Sequence, residues 1–324
     1  MYDRLSSSTK TPYLPQKSTM PSITSKLVRL VLKLKGIKKI FSHDPILYKK
    51  LRKEDIHQAP KRLLKGTNSH SFAVLKSKVT EVKAQQAPAS NYLLLFFPGG
   101  AFVSGPNATA WLTLGNLVRK TGITGWLVDY PKAPKYQLPE VAENVEAIYA
   151  KALEQYVPEN IFLMGDSAGG QVMLSLTQRL LQKGLPLPQH LIAVSPVLDL
   201  SVDNPAIAAI DPLDPMLSRA GVYSANQMAV GEGDLKAPEF SPLFGNFEGF
   251  PPVTIFLAEQ DILYPDGVLG VEKMQAAGVE VQTILGKDMF HVWPFMPFMK
   301  EGVEALGQIE EVLVEGMSTP LPEE

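Results

Sequence analysis

Two short stretches hold side chains whose types and order suit covalent chemistry. In "IFLMGDSAGGQVMLSL" (161–176), four apolar residues run into Ser167, which is flanked by glycines and followed by a second apolar run. A hydroxyl between two buried segments has no use in a core. It fits a sharp strand-to-helix turn that lifts Ser167 to the tip, with Gly165 and Gly169 allowing close packing: the G-x-S-x-G nucleophile elbow. A serine attacks poorly until a base takes its proton, and histidine is the usual base. Of five histidines, His43, His57 and His70 precede the expected sheet core and His190 sits in a Pro-rich connection. His291, in "GKDMFHVWPF", follows the last strand by a few residues, in a loop that returns to the serine's edge of the sheet.

The imidazole needs an acid to fix its tautomer and to stabilise the imidazolium. "VTIFLAEQDILYPDGVLG" offers Glu259, Asp261 and Asp266. Asp266 follows a proline and reads as a helix N-cap. Glu259 lies close to the strand end and stays in contention, while Asp261, just beyond a buried strand, is the choice. Ser167, Asp261 and His291 then follow the chain order of elbow hydrolases. A negative charge developing on a substrate oxygen needs backbone N–H donors. The glycine pair in "YLLLFFPGGAFVSG" supplies a loop that can approach closely. Gly99, Gly100 and Ala101, with Ala168 after the serine, form the expected oxyanion hole, Gly99 by shaping the turn.

These residues need a frame. Strand-like runs at "SFAVL" and "KVTEV" read as an antiparallel pair. They are followed by 92–97, 123–130, 161–164, 191–195, 253–258 and 279–284. Helical patterns lie between them near 107–120, 138–156, 168–183, 267–277 and 296–315. Apolar strands alternating with helices imply a mostly parallel sheet covered on both faces. Two segments break the alternation, 22–60 and 201–247, and both are expected to cap the C-terminal edge of the sheet. That divides the chain into an N-terminal arm and cap segment (1–60) and a catalytic domain (61–324) with a cap insertion near 201–247. "MYDRLSSSTKTPYLPQKSTMPS" lacks a hydrophobic run and reads as an arm, not a signal peptide. Lys26, Arg29, Lys33, Lys35, Lys38 and Lys39 stand among leucines. Read as a cap helix, this segment turns its basic face to solvent; the alternative is a helix lying on a membrane surface.

At 324 residues, 45% hydrophobic, the chain can bury a large core, and its net charge of −2 argues against nucleic acid as a partner. With no cysteine, it has no disulfide, thiolate metal site or cysteine nucleophile. No apolar run approaches the ~20 residues of a membrane span. The expectation is a cytoplasmic protein without stable membrane insertion, metal or cofactor, free to form a homo-oligomer.

From about residue 92 to 300 the chain resembles the hormone-sensitive lipase-like branch of the α/β-hydrolases. "FFPGGAFVSG" is similar to its H-G-G-G loop, "VDYPKAPKYQLPEVAEN" to its Y-R-L-A-P-E segment, and "GDSAGG" is its elbow. "SPVLDL" recurs after the next strand, "AEQDILYPDG" is similar to its acid loop and "FHVWPF" to its histidine loop. The resemblance implies an α/β-hydrolase fold and carboxylic ester hydrolysis, usually of short acyl chains. It carries the triad onto Ser167, Asp261 and His291, and the N–H donors onto Gly100, Ala101 and Ala168. Pro98 replaces the loop's histidine and its tethering hydrogen bonds, Ala101 the third glycine, and Pro131 the arginine of an expected ion pair. Phe102, Trp293 and Phe295 are expected to narrow the acyl pocket toward acetyl to hexanoyl esters. An amidase or small-peptide hydrolase on the same triad is the second reading. A ligand-binding protein on a hydrolase scaffold is the third.

Overall fold

Strand β3 (Leu93–Phe97) shows why the sheet forms where it does. All five of its side chains are buried, Leu93, Leu95 and Phe97 in one apolar cluster and Leu94 and Phe96 in the other. A strand with two apolar faces needs helices on both sides, and each fully buried side chain contributes on the order of 1.5–3 kcal/mol. The computed structural model describes residues 21–86 and 90–318, so most of the expected N-terminal arm lies outside the described residues.

The sheet has eight strands in the order β1-β2-β4-β3-β5-β6-β7-β8. The other strands are β1 (Thr67–Val74), β2 (Ser77–Ala84), β4 (Thr124–Asp129), β5 (Ile161–Asp166), β6 (His190–Val194), β7 (Val253–Ala258) and β8 (Val281–Gly286). β1 pairs antiparallel with β2, and β2 with β4; every later pairing is parallel. The helices, in chain order, are α1 (Ile23–Lys35), α2 (Ile37–Phe41), α3 (Tyr48–Leu51), α4 (Ala108–Thr121), α5 (Leu138–Leu153), α6 (Ala168–Gln182), α7 (Ile207–Ile210), α8 (Arg219–Val230), α9 (Tyr264–Ala276) and α10 (Lys300–Ser318). α5, α6 and α9 share one cluster with the sheet; α4 and α10 share the other. This is the expected α/β-hydrolase architecture.

Differences from the sequence reading have local causes. β1 begins at Thr67, four residues early, because the polar "TNSH" run pairs along the exposed edge. His190 opens β6 instead of lying in a loop. α10 begins at Lys300, since Pro294 and Pro297 hold the preceding residues in tight turns. The segment before residue 60 packs directly on the 201–247 segment: Lys38 Nζ is 3.1 Å from Asp211 Oδ1, and the Ile46 N–H donates to Ser224 Oγ. α1 departs most. Its inward residues are Ser25, Val28, Arg29 and Leu32, and its leucine-rich face points to solvent. Lys26, Lys33 and Lys35 do face solvent as expected, but the leucines are exposed beside them and Arg29 turns inward.

β3 and β5 are neighbours although β4 follows β3 in the chain, so the chain order reverses between them. Open parallel sheets bind ligands at such a crevice, beyond the strand C-termini. Here the loop after β3 and the turn after β5 approach so closely that a Cβ on Gly169 would lie 1.9 Å from the Phe97 carbonyl oxygen. Gly169→Ala is expected to lower stability in urea unfolding by about 3 kcal/mol or more, because backbone must move. Gly307→Ala, in α10 with nothing within 4 Å of the added carbon, is expected to be neutral or stabilising by about 0.5–1 kcal/mol. Equal effects for the two would show that the Gly169 contact has slack.

Candidate active site

Ser167 stands between β5 and α6 with φ 53° and ψ −123°, a backbone conformation that costs of order 1–3 kcal/mol and persists only when its surroundings enforce it. The enforcement is visible. The Ser167 N–H donates to Val194 O at 2.9 Å, and its carbonyl accepts from Val197 and Gly170. A Cβ on Gly165 would lie 2.4 Å from Gly169 O, and one on Gly170 would lie 2.7 Å from Pro196 Cβ. The Ser167 hydroxyl does not cap the helix it opens. Among the described residues no hydrogen bond joins it to His291; catalytic bonds of this kind commonly tighten only when substrate is held.

Asp261 and His291 meet directly, Oδ2 to Nδ1 at 2.7 Å, and both are buried. The second Asp261 oxygen accepts the Leu263 N–H. Three bonds fix the histidine loop: the Gln260 N–H to Met289 O, the Asp288 N–H to Glu259 Oε2, and the Val292 N–H to Ser195 Oγ. Glu259 is thereby occupied in holding that loop. Asp266 is not the N-cap expected of it. Leu263 holds that place, and the Asp266 carboxylate, in the first turn of α9, accepts from Asn204 Nδ2 at 2.8 Å. The other histidines pair elsewhere: His57 with Asp129, His190 with Thr254, and His43 with the Lys39 carbonyl; His70 stacks on Phe72.

Burial alone would lower the His291 pKa. The charge and hydrogen bond of Asp261, with the nearby Asp214 and Asp166, outweigh it and raise the imidazole above its ordinary value. Asp214 went unnoticed in the sequence. It is buried, accepts the Met216, Leu217 and Ile262 N–H groups, and so joins the 201–247 segment to the residue after Asp261. Burial and the Asp261 charge push its carboxyl up to about 7. "DPLDPMLS" carries a turn signal in its Asp-Pro pairs, but nothing local says that the turn faces the acid loop. Asp166, beside the serine, is pushed up to about 6 by desolvation, against the opposing Gly99 N–H bond and His291.

The loop expected to form the oxyanion hole, 98–106, runs through left-handed backbone at Gly100 (φ 134°), Ala101 (52°) and Phe102 (61°). The N–H groups of Gly100, Ala101 and Ala168 have no acceptor among the described residues. Gly99 is different: its N–H donates to Asp166 Oδ1 at 2.9 Å, so it shapes the turn and is not itself a free donor. Pro98 does not leave the loop untethered. Tyr130 Oη donates to Pro98 O, Arg52 Nε donates to Val103 O, and the Gly105 N–H donates to Asp55. The Ile56 N–H completes this strap on Pro106 O. Nor is an ion pair missing near Pro131: Lys132 Nζ lies 3.4 Å from Asp129 and against the Tyr130 ring, while Arg52 also donates to Ala133 O. Desolvation lowers Lys132 to about 8, against the pull of Asp129.

Phe102, Trp293 and Phe295 do not narrow an open cleft. Each is buried in a hydrophobic cluster; Trp293 packs edge-on to Phe256, and Phe295 to Phe96. Among the described residues no group of three or more His, Cys, Asp or Glu side chains is arranged to hold a metal ion. No helix among them is long and apolar enough to cross a membrane.

Residues 94–295 match the family described as the alpha/beta hydrolase fold. An esterase of Acinetobacter venetianus is 31% identical over 237 residues, 71% of this chain and 77% of its own. A crystal structure of an esterase from the bacterial hormone-sensitive lipase family superimposes with a TM-score of 0.81 at 25% identity, covering 93% of this chain and 100% of that one. The esterase EstE5, in a crystal soaked with p-nitrophenyl butyrate, gives 0.82 at 25% identity over 92% and 100%. With an elbow serine and a buried Asp–His pair at one edge of an α/β-hydrolase sheet, the chain belongs to the hormone-sensitive lipase-like family of carboxylic ester hydrolases.

Proposed function

We propose that the protein hydrolyses short-chain carboxylic esters through an acyl-enzyme on Ser167. The observation that carries this reading is the buried 2.7 Å contact of Asp261 with His291 Nδ1, which leaves Nε2 as the imidazole's remaining site for a proton. Ser167 Oγ attacks the ester carbonyl carbon as its proton passes to His291. The carbonyl oxygen becomes an oxyanion held by the N–H groups of Gly100, Ala101 and Ala168. The C–O bond to the alcohol then breaks, the alcohol leaving with the proton from His291. Water repeats the sequence on the acyl-enzyme and releases the acid. Asp261 keeps the imidazole in the productive tautomer and stabilises the imidazolium as it forms.

The segment before residue 60 and the 201–247 insertion supply the cap, through the contact of α2 with α8; a Cβ on Gly221 would lie 2.2 Å from Phe41 O. α1 lies outside that contact. That the similar proteins are named esterases favours an esterase over an amidase. EstE5 soaked with a butyrate ester supports a short acyl chain, a preference no longer attributable to the three buried aromatics.

On p-nitrophenyl esters of graded length, the wild-type chain is expected to favour acetyl to hexanoyl. Ser167→Ala should lose several orders of magnitude in kcat and all labelling by a fluorophosphonate, while keeping its fold. Wild-type turnover in that variant would end the proposal.

Asp261→Asn removes the charge that orients His291 and is expected to cost roughly 10³- to 10⁴-fold in kcat/KM. Asp266→Asn keeps an acceptor for Asn204, and Asp266, although buried, is not among the charges that act on His291, so kcat/KM should stay within about threefold. The reverse ranking would assign the acid to Asp266.

The pH profile follows from the raised His291 pKa. Only the neutral imidazole accepts the serine proton, so kcat/KM falls as pH drops through that pKa, with a midpoint above the ordinary ~6.5. In Asp261→Asn the residual activity should show this limb at lower pH, because the main charge raising the pKa is gone. An unmoved limb would mean that Asp261 does not set it.

A further inference from the structure

A surface helix ordinarily buries its apolar stripe. α1 does the opposite. Ile23, Leu27, Leu30, Val31 and Leu34 are between 42% and 84% exposed, and they fall within a ~100° arc of the helix at its standard rotation per residue. Lys26 and Lys33 border the arc on one side and Lys35 on the other, all exposed. From Ser22 the chain carries no acidic residue until Asp44.

The helix is firmly seated by its other side. Ser22 accepts the Ser25 N–H and bonds twice to Glu301, and the Lys300 N–H donates to Thr24 Oγ1. Arg29 donates to Gln260 Oε1 and Asp288 O and lies over the Phe290 ring. Phe298, 83% exposed, is two residues from the Lys300 anchor and adds an aromatic side chain near the helix N-terminus.

We propose that α1 is an interfacial helix that docks the protein, lying flat, on an anionic phospholipid surface. Exposed aliphatics flanked by lysines, with low overall hydrophobicity, suit the boundary between headgroups and acyl chains. A protein partner fits less well: protein interfaces are poor in lysine at their cores and rely on Trp, Tyr and Arg anchors, whereas Arg29 here faces inward. The placement bears on catalysis. Gln260 and Phe290 immediately precede Asp261 and His291, so a surface held by α1 lies one helix diameter, about 10 Å, from the acid and histidine loops.

The test is co-sedimentation of the full chain with large unilamellar vesicles, either phosphatidylcholine alone or phosphatidylcholine mixed with phosphatidylglycerol. The wild-type chain should pellet with the mixed vesicles and much less with the neutral ones. Leu27→Glu with Leu34→Glu should remain in the supernatant. So should Lys26→Glu with Lys33→Glu and Lys35→Glu, since each lysine near an anionic surface is worth roughly fivefold in partitioning. Both variants should keep wild-type kcat/KM on a soluble short ester, which reports folding and separates docking from catalysis. The proposal is overturned if wild-type protein ignores the mixed vesicles, or if the variants pellet as wild type does. It is equally overturned if, without lipid, velocity sedimentation shows a wild-type dimer that Leu27→Glu with Leu34→Glu dissociates, since the face would then belong to a second copy.

Discussion

The proposed catalytic edge depends on one steric constraint, the contact of the Gly169 backbone with the carbonyl of Phe97. β3 and β5 are hydrogen-bonded neighbours, with Phe97 opposite Gly165, and each leads into a loop that contributes to the site. Because no side chain fits between them, the elbow and the oxyanion loop cannot move independently. The strain at Ser167 is sustained by the same packing, with Gly165, Gly169 and Gly170 each facing atoms closer than a Cβ tolerates. What looks in sequence like a flexible glycine run is a rigid joint, since glycine is there to let backbones touch.

Around the histidine the constraint becomes electrostatic. Asp261, Asp214 and Asp166 all favour the imidazolium, and only the first touches it. Burial holds Asp166 and Asp214 well above the usual carboxylate range, with the Asp261 charge adding to it at Asp214, while Asp261 takes the direct bond. Asp214 is also structural: it gathers three backbone N–H groups from two distant segments. Changing it therefore alters both the field at His291 and the seating of the acid loop, and double-mutant cycles are the way to separate the two.

The frame was readable in the sequence because it rests on local signals. Apolar runs such as Leu93–Phe97, the glycines around Ser167, and the order of Ser167, Asp261 and His291 each name an element from its own residues. The supports were not readable, because they join residues far apart in the chain. Arg52 reaches Val103 and Ala133, Tyr130 reaches Pro98, and Asp214 reaches Ile262, and no spacing rule links such pairs. Orientation was hidden for a related reason. The periodicity of α1 shows an apolar face, but that it turns outward depends on Glu301, Gln260 and Asp288, far along the chain, which hold Ser22 and Arg29 on the inner side. The aromatics near His291 likewise resemble pocket walls until their packing against Phe256 and Phe96 is seen.

The strap over the oxyanion loop grips main chain, not side chains. Pro98 and Val103 contribute carbonyls, Gly105 an N–H and Pro106 a carbonyl, and the gripping groups belong to Tyr130 and to residues 52–56. Any residue whose backbone can follow the same path meets those demands equally well, which is how a proline stands at position 98 without loosening the loop. Evolutionary latitude is thus divided unevenly. Residue identity within the loop can drift where backbone geometry allows, while Arg52, Asp55 and Tyr130, none of them in the elbow or the triad, carry the obligation to stay.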